Sequence, residues 1–337
     1  MRFVRFEQAG RVAIGLAEVD GEGRLRRVLD LAAARARWGG PPVPPDMVEW
    51  IALGDEAVVA ARRWWSLAGG AEPAGAGGEA PGGGEAPAGG AVPGGPGEDG
   101  PAGPLWHPAE AVRLLAPIAR PPKNVMAIGL NYRDHVFEIS GRDVPQHPVV
   151  FTKAASAVQG PGDPIYTHPG VTEAVDYEGE LAVVIGRRGR SIPRERAREY
   201  IFGYMILNDV TARDLQRRTS QWHLGKSLDT FCPTGPYLVH RDAVGWPVEV
   251  DVRTWVNGEL RQEANTRQLI FDIPTLLATL SAGITLEPGD IIATGTPSGV
   301  GMGFDPPRFL RPGDVVEIEI TGLGRLRNPV VDRWPAP

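Results

Sequence analysis

Tyr177-Glu178-Gly179-Glu180-Leu181-Ala182-Val183-Val184-Ile185 is the stretch on which the reading of this chain turns. The run from Leu181 to Ile185 is apolar and largely β-branched, so it reads as a strand. Side chains alternate across a strand, so Glu178 and Glu180 point the same way, with Ala182 and Val184 after them on that face. Two neighbouring carboxylates repel each other, and a protein keeps them together when a positive charge, usually a metal ion, sits between them. An isolated Glu-x-Glu is more often a pair of solvated acids at a strand edge. Here a third acid, Asp209, follows another apolar run, Tyr200 to Leu207, in Asn208-Asp209-Val210-Thr211-Ala212-Arg213-Asp214.

Outward from this strand, apolar runs of strand length recur at Val125–Gly129, Val149–Phe151, Ile201–Leu207, Val248–Val256, Ile291–Thr294 and Val315–Ile320. Turns such as Gly160-Pro161-Gly162-Asp163, Glu287-Pro288-Gly289-Asp290 and Arg311-Pro312-Gly313-Asp314 separate them. Helices are few in this part. One is expected over Pro193–Arg198 after a Ser191 cap. Another is expected over Phe271–Ala282, with Asp272 as cap and Pro274 in the first turn. Regular strand–helix alternation is missing, which argues against a doubly wound sheet and for a β-rich α+β fold.

The beginning of the chain reads differently. Phe3–Phe6 and Val12–Val19 alternate as short strands, Gly23–Leu31 reads as a third strand or the start of a helix, and Ala32–Trp38 suggests that helix. Residues 1–67 therefore read as a small N-terminal domain. Residues 68–104 are almost all Gly, Ala and Pro with scattered Glu, including Gly-Gly-Glu-Ala-Pro at 77–81 and 83–87. Such a segment buries too little to offset its ordering entropy, so a disordered insertion is expected there. Residues 105–119 then read as a connector to a domain over 120–337.

Composition narrows the function. The 337 residues are 42% hydrophobic with a net charge of −6, which suits a globular protein and offers no electrostatic case for nucleic acid or anionic membrane. No apolar run approaches the roughly 20 residues that span a bilayer, and no signal-peptide core follows Met1. Cys232 is the single cysteine, so no internal disulfide forms and a cytoplasmic location is expected. Of 35 basic residues only Lys123, Lys153 and Lys226 are lysines, and two of these sit inside the motifs below.

Gly129-Leu130-Asn131-Tyr132-Arg133-Asp134-His135, the 178–180 pair, Asn208-Asp209-Val210-Thr211-Ala212-Arg213-Asp214-Leu215-Gln216, Gly225-Lys226-Ser227 and Thr294-Gly295-Thr296-Pro297-Ser298-Gly299 occur in that order. Together they resemble the fumarylacetoacetate hydrolase family over about residues 120–332, in its bacterial acylpyruvase-like and 2-hydroxyhepta-2,4-diene-1,7-dioate isomerase-like group. The resemblance implies a mixed β-sandwich or β-roll catalytic domain, a homodimer, and a divalent ion on Glu178, Glu180 and Asp209. An all-oxygen set of this kind prefers Mg²⁺ or Mn²⁺. Zinc would call for a histidine, and His168 is the nearest in sequence. One ion at about 2.0–2.5 Å from each acid needs their oxygens within roughly 5 Å of one another.

His135 and Glu138 are spaced to share a face of one helical turn, where a carboxylate orients an imidazole and raises its basicity. In the family the matching pair activates water, and the stretch Ile139–Pro145 reads as a flexible lid. Asp209, Arg213 and Gln216 would form one stripe if their segment is helical. Arg213 and Gln216 could then reach a carboxylate, and Lys226 offers a compact charge for an enolate or oxyanion. Thr296 resembles the hydroxyl that contacts substrate. Lys153 is a second cation for substrate or, alternatively, a structural salt bridge to a site acid. Trp106, Trp222, Trp246 and Trp255 could form a ligand-stacking set, but tryptophans scattered in this way are more often core or interface residues, and they are read as such. The resemblance implies a 2-oxo acid substrate and, first, hydrolysis of a C–C bond in a 2,4-dioxo acid such as an acylpyruvate or a deoxy sugar acid derivative. Isomerisation or decarboxylation of an unsaturated 2-oxo or 2-hydroxy dicarboxylate is the second expectation. A catalytically idle metabolite-binding protein is a remote third.

Overall fold

The strand that contains Glu180, Gly179–Ile185, is buried along its whole length. Its neighbours are Ile201–Asn208 on one side and Ile291–Ala293 on the other, both antiparallel. In this computed structural model, which describes residues 1–71, 103–140 and 144–334, these strands belong to a 12-stranded sheet. A five-stranded sheet, in the order Glu259–Asn265, Asp251–Val256, Val315–Ile320, Gly324–Val331 and Ile165–Tyr166, packs on it. The fold is β-rich α+β.

Alternation along Gly179–Ile185 serves two cores. Leu181, Val183 and Ile185 share a core with Val252, Val316, Ile318 and Leu326 of the smaller sheet. Ala182 and Val184 enter a second core with Trp50 and Trp64, from the helices Met47–Ala52 and Asp55–Leu67. Each fully buried Leu, Ile or Val side chain contributes about 1.5–3 kcal/mol relative to exposure. A strand covered on both faces therefore gives the acids at its start a rigid, dry mount.

The large sheet runs across the domain division read from sequence. Arg2–Gln8 hydrogen-bonds to Cys232–His240, which in turn pairs with Ile201–Asn208. The segment taken as a connector supplies two further strands: Trp106–Pro108 pairs with Leu25–Asp30, and Arg113–Leu115 with Arg2–Gln8. Three-residue strands are too short to show a period in sequence. Cys232–His240 was not foreseen because Pro233 and Pro236 argue against a central strand. Residues 72–102 of the expected insertion, and 141–143 of the expected lid, lie outside the described residues.

Near 30, both readings hold in succession: Leu25–Asp30 is a strand, and Asp30 then caps the helix Leu31–Trp38 by accepting the N–H groups of Ala32 and Ala33. The helix expected at Phe271–Ala282 runs from Ile273 to Ser281, with Asp272 accepting the N–H of Thr275. The one expected at Pro193–Arg198 is a 3₁₀ turn, Arg194–Arg196, followed by Ala197–Tyr200. Ser191 does not cap it; Ser191 has φ +52° and its N–H binds the Ser281 carbonyl. The strand expected from Val248 starts at Asp251. Among the described residues, no helix is long and apolar enough to cross a membrane.

Candidate active site

The three acids meet because of strand register. Gly179 lies opposite Asn208 and Glu180 opposite Leu207, so the chain leaving the second strand places Asp209 beside Glu178. The Glu178 carbonyl accepts the Asp209 N–H at 2.9 Å, and the Asn208 side chain accepts the Glu178 N–H at 3.0 Å. One carboxylate oxygen from each of Glu178, Glu180 and Asp209 lies within 4.8 Å of the others, and all three residues are buried. This is the span that a single ion requires. His168 is elsewhere, donating from Nε2 to the Asp229 carbonyl at 2.9 Å in an aromatic cluster with Tyr166 and Trp334.

Cations enclose the acids. Lys226 donates to Glu178 at 2.8 Å and Asp209 at 2.7 Å, with its ammonium 4.8 Å from the centre of the Phe151 ring. Arg213 donates to Glu178 at 2.6 Å through Nη1, and to Asp176 at 2.8 Å through Nε. Burial opposes ionisation of Glu178, yet Lys226 and Arg213 outweigh it and bring its pKa down to about 2. Glu180 is different: burial first, then the charges of Asp209 and Glu178, push its pKa well above the usual carboxylate range. One acid of the three thus lacks a full counter-charge.

Two expectations are corrected here. Lys153 is not available to a substrate: its ammonium is wholly buried behind Asp209, bonded to Asp209 Oδ1 at 2.6 Å, Val210 O at 3.1 Å and the Lys226 carbonyl. Its three protons are all engaged, so it braces the acid instead. Asp209, Arg213 and Gln216 do not form one helical stripe either. Thr211–Ala212 pairs as a strand with Val175–Asp176, and the helix begins only at Arg213. Gln216 still lies beside Arg213, accepting from Nη1 at 3.2 Å.

A cavity of about 390 Å³ opens over these groups, with Glu178, Glu180, Arg213, Lys226, His135 and Thr296 in its wall. His135 sits on the helix Arg133–Ser140, and its Nδ1 is 3.1 Å from Glu138 Oε2. A carboxylate only accepts, so Nδ1 is the donor to Glu138, and in the neutral ring this tautomer leaves the lone pair on Nε2. The Thr296 hydroxyl donates to the Gly179 carbonyl at 3.0 Å and accepts from Gln262 at 2.8 Å.

Sequence reasoning missed three participants. Asp176 is buried and binds Arg213; the alternation Asp176-Tyr177-Glu178-Gly179-Glu180 could have revealed it. Trp222, read as a core or interface residue, stands in the cavity wall, edge-on to Phe151 at 5.3 Å. Gln262 joins the smaller sheet to the site by accepting the Gly179 N–H at 3.0 Å; nothing in its sequence neighbourhood announces this.

The donor set suits a hard divalent ion. It is all oxygen, it is buried, and Glu180 lacks a counter-charge that such an ion would supply. Comparisons with known proteins agree with the site's composition. The sequence pattern named Fumarylacetoacetate (FAA) hydrolase C-terminal matches residues 124–331. The chain is 45% identical over 332 residues to the oxaloacetate tautomerase YisK of Bacillus subtilis (strain 168), covering 98% of this chain and 100% of that protein. It superposes on the fumarylacetoacetate hydrolase of Exiguobacterium antarcticum with TM-score 0.75 at 40% identity, covering 99% of this chain and 100% of that one. The maleylpyruvate hydrolase of Sphingobium sp. SYK-6, solved with manganese(II) and pyruvate, gives TM-score 0.69 at 33% identity over 98% and 99% of the two chains. With five ordered motifs converging on one buried acid cluster, and with the family pattern matched over most of the chain, this protein belongs to the fumarylacetoacetate hydrolase family.

Proposed function

We propose that this enzyme interconverts the keto and enol forms of a 2-oxo dicarboxylate of the oxaloacetate type, with Glu178, Glu180 and Asp209 holding Mg²⁺ or Mn²⁺. The observation that carries the reading is on Arg213. Arg213 is 3% exposed and lines the cavity, yet its buried Nη2 has no hydrogen-bond partner among the described residues. A buried donor left unpaired costs about 1–3 kcal/mol, so its partner is expected to be a ligand. A carboxylate is the anion a guanidinium fits best. The relative at 45% identity, whose name is oxaloacetate tautomerase, supports the choice of substrate class.

When bound, the ion supplies positive charge that polarises the 2-oxo group and acidifies the neighbouring carbon. The remaining work falls to the chain. Arg213 Nη2 and Gln216 orient the substrate carboxylate. His135 Nε2 removes the proton from the carbon next to the carbonyl, and Glu138 stabilises the imidazolium that results. Returning that proton to the oxygen side of the same substrate completes a tautomerisation, without any need for an activated water. Lys226, already bonded to two acids, keeps the cluster near neutrality.

Hydrolysis of a 2,4-dioxo acid is the second reading, favoured by the intact His135–Glu138 pair, which can also deprotonate water. A homodimer belongs to the proposal too. The edge strand Val149–Lys153 carries Val150 at 44% exposure, and Leu224 on the adjoining helix is 59% exposed. A cytoplasmic location fits the single buried cysteine. The deciding experiment follows the enol absorbance of oxaloacetate, and the chromophore of acylpyruvates, with purified enzyme and Mg²⁺ or Mn²⁺. Faster relaxation of the enol with no cleavage of acylpyruvates supports the tautomerase; cleavage with no effect on the enol replaces it with the hydrolase.

A further inference from the structure

Arg213 poses a problem that its own neighbours do not solve. A buried guanidinium beside a carboxylate prefers a two-pronged pairing, which would bring both terminal nitrogens onto Glu178. Only Nη1 is there, at 2.6 Å, while Nη2 is buried with no hydrogen-bond partner among the described residues, in a residue that lines the cavity. Something holds the group at its other edge.

That group is Asp176, whose side chain is fully buried. Its Oδ2 accepts Arg213 Nε at 2.8 Å and the Met302 N–H at 3.0 Å. Its Oδ1 accepts the Gly301 N–H at 2.7 Å and the Tyr177 N–H at 2.9 Å. Four donors from three separate segments therefore converge on one carboxylate. Its position is over-determined, and so is the plane of the arginine it holds. The Gly301 and Met302 amides come from the turn Gly301–Gly303, and Met302 also lines the cavity. Gly301 itself admits no side chain, since a Cβ there would collide with the Arg308 carbonyl and with Asp176.

We propose that Asp176 is a positioning residue. By fixing Nε of Arg213 it prevents the guanidinium from closing on Glu178, and so keeps Nη2 free of a protein partner and available to pair with the substrate carboxylate. It touches neither substrate nor ion itself. This inference rests on the function proposed above, in which Arg213 receives a carboxylate.

The test uses pyruvate as the ligand and calorimetry at saturating Mn²⁺, so that no turnover is required. Asp176→Asn keeps the shape but replaces one acceptor oxygen with an amide that donates toward donors. Pyruvate affinity is expected to fall about tenfold or more in this variant. In an Arg213→Lys background, which has no guanidinium to orient, the same replacement should change affinity by less than about twofold. Equal losses in both backgrounds would mean that Asp176 only supports the fold, and would overturn the proposal. So would undiminished affinity in Asp176→Asn. Should that variant fail to fold, Asp176→Glu takes its place. It keeps the charge but is longer by one methylene, cannot hold the arginine and both amides in register, and is judged by the same outcomes. If the wild-type enzyme with Mn²⁺ binds no pyruvate at all, the proposed function fails and takes this inference with it. Binding by the wild type that Asp176→Asn retains overturns the inference alone.

Discussion

Glu138 Oε1 accepts the Gly299 N–H at 2.8 Å, while Oε2 of the same carboxylate lies 3.1 Å from His135 Nδ1. A loop 161 residues further along the chain thus sets the orientation of the imidazole. Gly299 has φ +98°, and a Cβ there would overlap the Arg261 carbonyl, so only glycine can deliver that amide. At Gly303 the obstacle is Glu138 itself, which a Cβ would displace.

This anchoring predicts a graded series. His135→Ala removes the base and should lower turnover by roughly 10²–10⁴-fold. Gly303→Ala leaves His135 in place but pushes Glu138 aside, and a loss of roughly 10–10²-fold is expected from misorientation. Mn²⁺ binding, measured by electron paramagnetic resonance, should survive in both. Turnover unchanged in Gly303→Ala would show that Glu138 does not orient the histidine.

Removing an acid acts on the ion. Glu178→Ala and Glu180→Ala should each abolish turnover and the stabilisation that millimolar Mg²⁺ or Mn²⁺ gives the wild type. For an ion at about 100 times its Kd that stabilisation is about 2.7 kcal/mol. Thermal melts with and without Mg²⁺ and Mn²⁺ decide it: equal midpoints for the wild type would reject the site.

Protons should leave as the ion enters. Burial and the neighbouring Asp209 and Glu178 raise the Glu180 pKa well above 4.5 in the folded protein. A raised carboxyl stabilises the metal-free fold below its unfolded value and loses that contribution as pH climbs through the folded one. The ion binds only the ionised form, so its affinity must rise with pH and binding must release protons. Calorimetry in buffers of different ionisation enthalpy measures the release. The stabilisation by Mg²⁺ should be larger at about pH 8 than at about pH 6.

His240 predicts a separate acid effect on stability. Burial, the largest cause, with Arg241 and other nearby positive groups, lowers its pKa from 6.5 to about 4 despite Asp242. A depressed histidine contributes stability above its unfolded value, and that is lost as pH falls from 6.5 toward 4. Urea midpoints across that range should fall less steeply in His240→Gln than in the wild type. Identical slopes would assign the acid sensitivity to other groups.

Assembly is tested by light scattering, which should report twice the mass of one chain at micromolar concentration. Charge on the proposed face, as in Leu224→Asp, should shift the protein toward the single-chain mass. A wild type that scatters as one chain removes the dimer from the proposal.

The sequence by itself determined the buried strand Gly179–Ile185, the pairing of Glu178 with Glu180 on one face, and the family. Apolar runs and alternation are local properties, and five ordered motifs survive without knowledge of the fold. It also marked His135 with Glu138, since a spacing of three is a helical neighbour relation. Tertiary structure alone decided which cation does what. Lys153 and Lys226 look alike in sequence, yet one has all three protons engaged behind Asp209 and the other lies in the cavity wall beside Glu178. Asp176, Trp222 and Gln262 became site residues only through contacts with distant segments. The same holds for the strands in residues 105–119, too short to show a period until the sheet receives them. Long-range hydrogen bonds and the direction of a buried charge depend on which segments meet, and no local pattern records that.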